Sequence, residues 1–254
     1  MVRSTAPWSI TRKFFGEFVI SFLFGYVIYS AILTENLDKL ILGKVLVGLS
    51  IGFSGTALKY SFSGVTIAHS NPAITIAAIC FGKLPIVRGI MFILMQLLGF
   101  MGAAAAVLGC FPGDKSILLD IINPNPVKSS VSTINIILTE AFFSGILVFM
   151  AFSVAINKYK KPVYDTSEGG EILRRHVHER PDVSALGLLC IGLTLGFLAL
   201  LGGSSSGGAF NPAVVFAPTV FTGDWSNSWK YWVGEIIGGL VGALIQIVLV
   251  PKMY

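Results

Sequence analysis

The sequence predicts an all-α membrane protein in which six transmembrane helices and two re-entrant half-helices form an inverted repeat. Three observations lead to this prediction. The chain is rich in apolar residues and poor in charge. Its apolar residues fall into blocks long enough to cross a bilayer. The tripeptide Asn-Pro-Ala occurs twice, each time before a short apolar stretch.

The composition argues against a soluble domain and against a nucleic-acid partner. Hydrophobic residues make up 54% of the 254 residues and charged residues only 12%, whereas soluble domains carry charge on about a quarter of their residues. The net charge of +5 comes from basic residues that stand singly at the ends of apolar blocks, without a basic stripe. Three isolated cysteines indicate neither a disulfide framework nor a zinc site: Cys80, Cys110 and Cys190.

Six apolar blocks are long enough to span a bilayer as helices. A helix needs about 20 apolar residues to cross the hydrocarbon core, and blocks of this length are not the alternating strands of a membrane barrel. An even number of spans places both termini on one side. Lys and Arg are concentrated before the first and third spans and between the fourth and fifth, so both termini are expected to be cytoplasmic. The predicted spans are 14–34, 42–60, 86–109, 134–156, 184–201 and 230–250.

Two further apolar stretches, 73–81 and 213–221, are only half as long as a span. Each follows Asn-Pro-Ala, in which Asn is a strong N-cap and Pro suits the first turn of a helix. We therefore predict two half-helices that begin inside the membrane. The alternative, two capped surface helices, is weakened because the same motif opens a short apolar stretch twice: Asn71, Pro72 and Ala73, then Asn211, Pro212 and Ala213.

The two halves of the chain repeat each other. Glu17 lies near the start of the first span and Glu140 near the start of the fourth, each followed by a similar apolar run. We expect a single channel domain over residues 1–254, with repeat one at about 14–109 and repeat two at about 134–250. An odd number of spans in each repeat makes the halves inverted, with their half-helices meeting near the midplane.

Paired Asn-Pro-Ala motifs on half-helices, with a glutamate in spans one and four, resemble the aquaporin or major intrinsic protein family from about residue 15 to 250. The resemblance implies one pore per protomer, a homotetramer in a lipid bilayer, passage of water and small neutral solutes, and no enzymatic activity or cofactor. Asn71 and Asn211 would donate hydrogen bonds to passing water. Glu17 and Glu140 would support the half-helix loops rather than line the pore. His69 would brace the first of these loops, with an influence on conduction as the alternative.

The chain departs from the family pattern at its outer constriction. Family members usually carry an arginine directly after the second motif, and Val214 stands there instead. Counting without gaps places the other filter positions at Ile51, Ala199 and Gly208. These residues predict a wider and less polar constriction, so glycerol, urea, ammonia and hydrogen peroxide are candidate solutes beside water. Glu235 replaces a family proline, and we expect it either at the outer interface or lining the vestibule.

The loop 157–183, between spans four and five, is long for a tight connection. It contains titratable residues, so it is either a plain solvated loop or a gate that responds to pH or to a divalent cation. The candidate gating residues are Asp165, Glu168, His176 and His178.

Other functional classes have less support in the sequence. No Ser-His-Asp order, metal cluster or phosphate-cradling glycine motif indicates an enzyme. The second hypothesis is a structural or adhesion membrane protein with a closed or slow pore, which the altered filter keeps open. An ion channel is suggested by the absent arginine and opposed by the two half-helix dipoles.

Overall fold

The structure is a computed structural model. It describes residues 7–39, 41–124, 130–157, 163–166, 172–175, 185–203 and 205–249. Six helices in these ranges are long and apolar enough to cross a membrane. They are α1 (Pro7–Asp38), α2 (Gly43–Phe62), α4 (Ile86–Cys110), α6 (Thr133–Ala151), α7 (Ala185–Gly202) and α9 (Ser228–Leu249). The shorter helices are α3 (Pro72–Cys80), α5 (Lys115–Ile122) and α8 (Pro212–Thr222).

The predicted all-α membrane fold is confirmed. Five of the six spans begin or end within a few residues of the predicted bounds, and α1 begins earlier than expected, at Pro7. The fourth span includes α6 and one π-helical segment, Phe152–Ile156, which continues the helix to the predicted end. Backbone polar groups within a bilayer must be paired inside the protein, and helices satisfy this requirement locally.

The two Asn-Pro-Ala motifs begin the two half-length helices. Asn71 is the N-cap of α3, and its side-chain oxygen accepts from the Ala73 N–H at 2.8 Å. Asn211 caps α8 in the same way, with 3.1 Å to the Ala213 N–H. At 9 and 11 residues, helices rising about 1.5 Å per residue cannot cross a bilayer.

Glycine allows α6 and α9 to pack with their backbones in contact. A Cβ atom added at Gly238 would lie 2.0 Å from the Ala141 carbonyl oxygen, and one at Gly242 would lie 2.1 Å from the Gly145 carbonyl oxygen. Small residues at membrane helix interfaces permit this close approach, since apolar side chains gain little by leaving lipid. The interface therefore tolerates no side chain at these two positions.

Apolar side chains point outward from the bundle. Phe142, Leu186 and Val248 are each about two thirds exposed. Large exposed apolar patches are unusual on soluble monomers, whereas they are the expected surface of helices that face lipid chains. The outer faces of α6, α7 and α9 are thus suited to a bilayer.

One helix and two strands were not predicted. Helix α5 follows Asp114, whose side chain accepts from the Ser116 N–H and hydroxyl, and these bonds hold the pKa of this exposed carboxyl below its ordinary value. Within α5, Leu118 and Ile122 lie one turn apart and are buried in the core. Strands β1 (Val163–Thr166) and β2 (Ile172–Arg175) form an antiparallel pair in the loop between α6 and α7.

Replacing Gly242 with valine tests the close packing of α6 on α9. Overpacking should lower the free energy of unfolding by about 1–3 kcal/mol, measured by thermal or denaturant unfolding of the detergent-solubilised protein. Gly109→Val is the matched control, because a Cβ added there meets nothing within 4 Å. Equal stability of the two variants would contradict the packing described here.

Candidate functional site

Two cavities lie between the helices of the described bundle. The large cavity, of about 440 Å³, reaches both Asn71 and Asn211. The small cavity, of about 260 Å³, lies at the ends where α2 finishes and α4 begins. Among the described residues the two cavities share three lining side chains, which belong to Lys59, His69 and Ile74. A path through the protein would therefore pass from one cavity to the other beside these three residues.

The two half-helices are joined by reciprocal hydrogen bonds. The Asn71 side-chain amide donates to the Phe210 carbonyl at 2.9 Å, and the Asn211 amide donates to the Ser70 carbonyl at 2.9 Å. Each bond runs from one motif to the residue that precedes the other. An Asn amide has two N–H donors, so each asparagine keeps a second donor beside the large cavity that it lines.

A buried carboxylate holds the loop before α3. Glu17 accepts hydrogen bonds from the Thr66 hydroxyl at 2.7 Å, the Ala68 N–H at 3.1 Å and the Ser70 N–H at 2.8 Å. The Gln96 amide donates to it as well, at 2.9 Å. Buried carboxylates are costly unless their oxygens are paired, and here both oxygens are. These are the contacts that the predicted supporting role requires.

Glu140 makes the corresponding contacts in the second half of the chain. It accepts from the Ser206 hydroxyl, from the Ala209 N–H at 3.2 Å and from the Phe210 N–H at 2.6 Å. The Tyr231 hydroxyl donates to the Ser206 carbonyl of the same loop. Each half-helix is thus preceded by a loop tied to a glutamate of a transmembrane helix.

Both loops contain non-glycine residues in the left-handed region of backbone space. Their φ angles are +52° at Ala68, +48° at Ser70 and +34° at Phe210. Such residues cost of order 1–3 kcal/mol each and persist where surrounding contacts determine them. All three N–H groups donate to Glu17 or Glu140, so the carboxylates hold the strained backbone in place.

The prediction for Glu235 was wrong. The side chain is completely buried, and its carboxylate accepts from the Asn211 N–H at 2.9 Å. Helix α9 begins at Ser228, so Glu235 lies about two turns inside the helix and not at its exposed start. It acts as a second support of the loop before α8, which the single sequence did not indicate.

The sequence left two roles open for His69, bracing the loop and influencing conduction, and its position is compatible with both. Its Nδ1 lies 3.1 Å from the Thr75 hydroxyl oxygen, and its ring lines both cavities. It is therefore fixed to the first turn of α3 and also faces the path between the cavities.

The four predicted filter residues line the large cavity together: Ile51, Ala199, Gly208 and Val214. Gly208 has a φ of +72°, and a Cβ atom there would lie 3.0 Å from the Gly202 Cα, so the position suits glycine alone. The Tyr29 hydroxyl fixes the backbone beside the cavity by donating to the Val214 carbonyl at 2.8 Å. That these residues select solutes remains a prediction.

The candidate gating residues are largely outside the structural description. Asp165 lies in β1, where it is paired in register with Leu173 of β2. Glu168, His176 and His178 lie outside the described residues. The gating prediction therefore stays a prediction. In the described ranges no group of three or more His, Cys, Asp or Glu side chains is placed to hold a metal ion.

Lys59 is the residue that sequence reasoning missed. It lies within α2, is 7% exposed and donates to the carbonyls of Ala68 and His69. The signal was present, because an ionisable residue inside an apolar span is a functional candidate by default. The predicted span ended at residue 60, so the lysine resembled an ordinary charge at a helix end.

Comparison with known proteins gives a consistent family. The family model described as major intrinsic protein matches residues 4–246. A protein named aquaporin from Encephalitozoon intestinalis is 44% identical over 95% of each chain, and aquaporin-B from Dictyostelium discoideum is 36% identical over 92% of this chain and 82% of that one. The X-ray structure of the aquaglyceroporin from Plasmodium falciparum has a TM-score of 0.72 and covers 92% of this chain and 93% of its own, and at 18% identity it shows likeness of fold.

Substitutions at Glu235 test its part in holding Asn211. Glu235→Ala leaves the buried Asn211 N–H without its acceptor, which should lower the free energy of unfolding by about 1–3 kcal/mol. Glu235→Gln keeps an acceptor oxygen of the same shape and should lose less, as measured by unfolding of both variants in detergent. If alanine and glutamine reduce stability equally, the hydrogen bond to Asn211 does not carry the effect.

Proposed function

Because the chain belongs to the major intrinsic protein family, whose members are channels and not enzymes, we propose that it is a passive transmembrane channel for water and small neutral solutes. The observation that carries this proposal is the junction of α3 and α8. There, two asparagine amides line a cavity of about 440 Å³ in the centre of a membrane helix bundle. The predicted partners are thus water, neutral solutes and the lipid bilayer.

The junction is suited to water and unsuited to cations. Each asparagine has one amide N–H beyond its cross-loop bond, and that donor can bind a passing water oxygen. The N-terminal end of a helix carries about half a positive charge, and the N-termini of both half-helices lie at this junction. We infer that water passes with its oxygen toward Asn71 and Asn211, and that protons and metal cations are repelled.

The wall near Val214 favours solutes larger than water. Ile51, Ala199 and Val214 are apolar and offer no side-chain hydrogen bonds, so a polar solute finds few directed contacts there. The size and the donors of a constriction decide which solutes pass. The proposed solutes beside water are glycerol, urea, ammonia and hydrogen peroxide.

The family also supports a homotetramer of single-domain protomers with both termini cytoplasmic. The exposed apolar faces of the bundle suit contact with lipid or with other protomers. The positive-inside distribution of Lys and Arg supports the orientation. Regulation through the loop between α6 and α7 belongs to the same proposal.

A second function has one observation in its favour. The two cavities are separate and meet only at three side chains of the described part of the chain, which suits a structural or adhesion protein with a closed or slow pore. Stopped-flow light scattering on proteoliposomes distinguishes the two functions. A channel gives water permeability above that of protein-free liposomes, whereas an adhesion protein gives the lipid background. Each candidate solute is compared in the same preparation.

Val214→Arg tests the proposed filter. The guanidinium group would fill the opening and supply directed donors, so passage of glycerol or urea should fall by about tenfold or more while water permeability falls less. Stopped-flow measurements with both kinds of gradient give the two permeabilities.

Val214→Leu is the control for size without donors, and it should reduce the passage of larger solutes less than arginine does. The filter assignment fails if the parent protein excludes these solutes, or if Val214→Arg leaves their passage unchanged.

A further inference from the structure

Lys59 places a positive charge in the last turn of α2, a helix long and apolar enough to cross a membrane. It belongs to a span of 20 residues, and 7% of its surface is exposed. Charged residues within membrane helices are costly and commonly mark pathways for ions or substrates. The lysine takes no part in the two hydrogen bonds that join α3 and α8, which run from Asn71 to the Phe210 carbonyl and from Asn211 to the Ser70 carbonyl.

The ammonium group is held at a fixed place in the path. Its Nζ donates to the Ala68 carbonyl at 2.7 Å and to the His69 carbonyl at 3.2 Å. Glu17 binds the N–H groups of Ala68 and Ser70 in the same loop. The loop is therefore bound to a carboxylate through its N–H groups and to an ammonium through its carbonyls. An ammonium has three donors, so one remains after these two bonds.

Lys59 lies at the point where the large and the small cavity meet. Only Lys59, His69 and Ile74, of the described residues, line both cavities. His69 is bonded to Thr75 and Ile74 is apolar, so the ammonium supplies a full charge at this meeting point. The filter residues Ile51, Ala199 and Val214 carry no charge, and the other described charged side chains that line the large cavity belong to Glu35, Lys44 and Asp120.

We propose that Lys59 is a second charge-selective element of this pore, beside the two half-helix ends, an inference that rests on the proposed channel function. Its ammonium group repels protons and metal cations between the two cavities, while neutral water can accept a hydrogen bond from its third donor. Each half-helix end contributes about half a charge, so one buried lysine adds as much positive charge as both ends together. This added charge selectivity lies on the small-cavity side of the junction, and the apolar side chains of the Val214 filter contribute none.

A purely structural role is the competing account. In that account Lys59 only ties the loop through Ala68 and His69, and removing it lowers stability and water passage without a cation leak. The two accounts differ in whether the charge itself, apart from the bulk of the side chain, excludes cations.

The test restores the charge chemically. In a protein whose Cys80, Cys110 and Cys190 are replaced by serine, Lys59→Cys is reconstituted into liposomes. The thiol is then treated with a methanethiosulfonate that attaches either an ethylammonium group or a neutral propyl group. The dissipation of a pH gradient, the influx of Na⁺ and the osmotic water permeability are measured in each preparation.

The untreated cysteine protein should pass protons or Na⁺ about tenfold faster than the Lys59 parent, given the strength of a nearby charge at low dielectric. The ethylammonium group should restore exclusion, and the propyl group should not. Lys115→Cys is the matched control, because Lys115 is exposed and lines neither cavity, and its modification should leave cation flux unchanged.

Three results would overturn the inference. If the untreated cysteine protein passes water and excludes cations as well as the parent does, the charge is not needed. If both reagents restore cation exclusion equally, the size of the side chain forms the barrier and its charge does not. If the parent protein gives only the water permeability of protein-free liposomes, the channel function is contradicted, and the inference fails with it.

Discussion

Two hydrogen bonds cross the centre of the bundle and connect the halves of the chain. Asn71 donates to the Phe210 carbonyl and Asn211 donates to the Ser70 carbonyl. Each asparagine also caps its own half-helix, so one side chain fixes both the start of a helix and its distance from the other. The large cavity, the positive helix ends and the proposed orientation of water all depend on this contact.

The surrounding structure holds the junction against backbone strain. The loops before α3 and α8 contain residues with positive φ, and buried carboxylates bind their N–H groups. The two halves of the chain hold these loops with different side chains. In the first half Glu17 is assisted by Gln96, and the ammonium of Lys59 binds the carbonyls of the same loop. In the second half Glu140 is joined by Glu235, which binds the N–H of the motif asparagine. The inverted repeat is thus symmetric in backbone and asymmetric in charge, because the lysine at the loop before α3, Lys59, is buried, whereas the lysine that donates to the Gly203 carbonyl before α8, Lys44, is exposed.

The sequence predicted the features that depend on local chemistry. Span length is set by the bilayer and half-helix starts are set by Asn-Pro caps, so five of the six spans and the start of α3 at Pro72 were predicted to within a few residues. The roles of Glu235 and Lys59 depend on which loop lies opposite a helix face, and one sequence contains no such distance. Helix α5 was missed because eight residues give too short an apolar pattern, although Leu118 and Ile122 have helical spacing.

A double-mutant cycle on Asn71 and Asn211 tests the central claim most directly. The free energy of unfolding in detergent is measured for Asn71→Ala, for Asn211→Ala and for the double variant. The reciprocal junction predicts that the double variant loses less than the sum of the single losses, by about 0.5–3 kcal/mol, because either change alone moves the loop that the other asparagine needs. Losses that add to within about 0.5 kcal/mol would show that the two motifs are held independently, and would contradict the account.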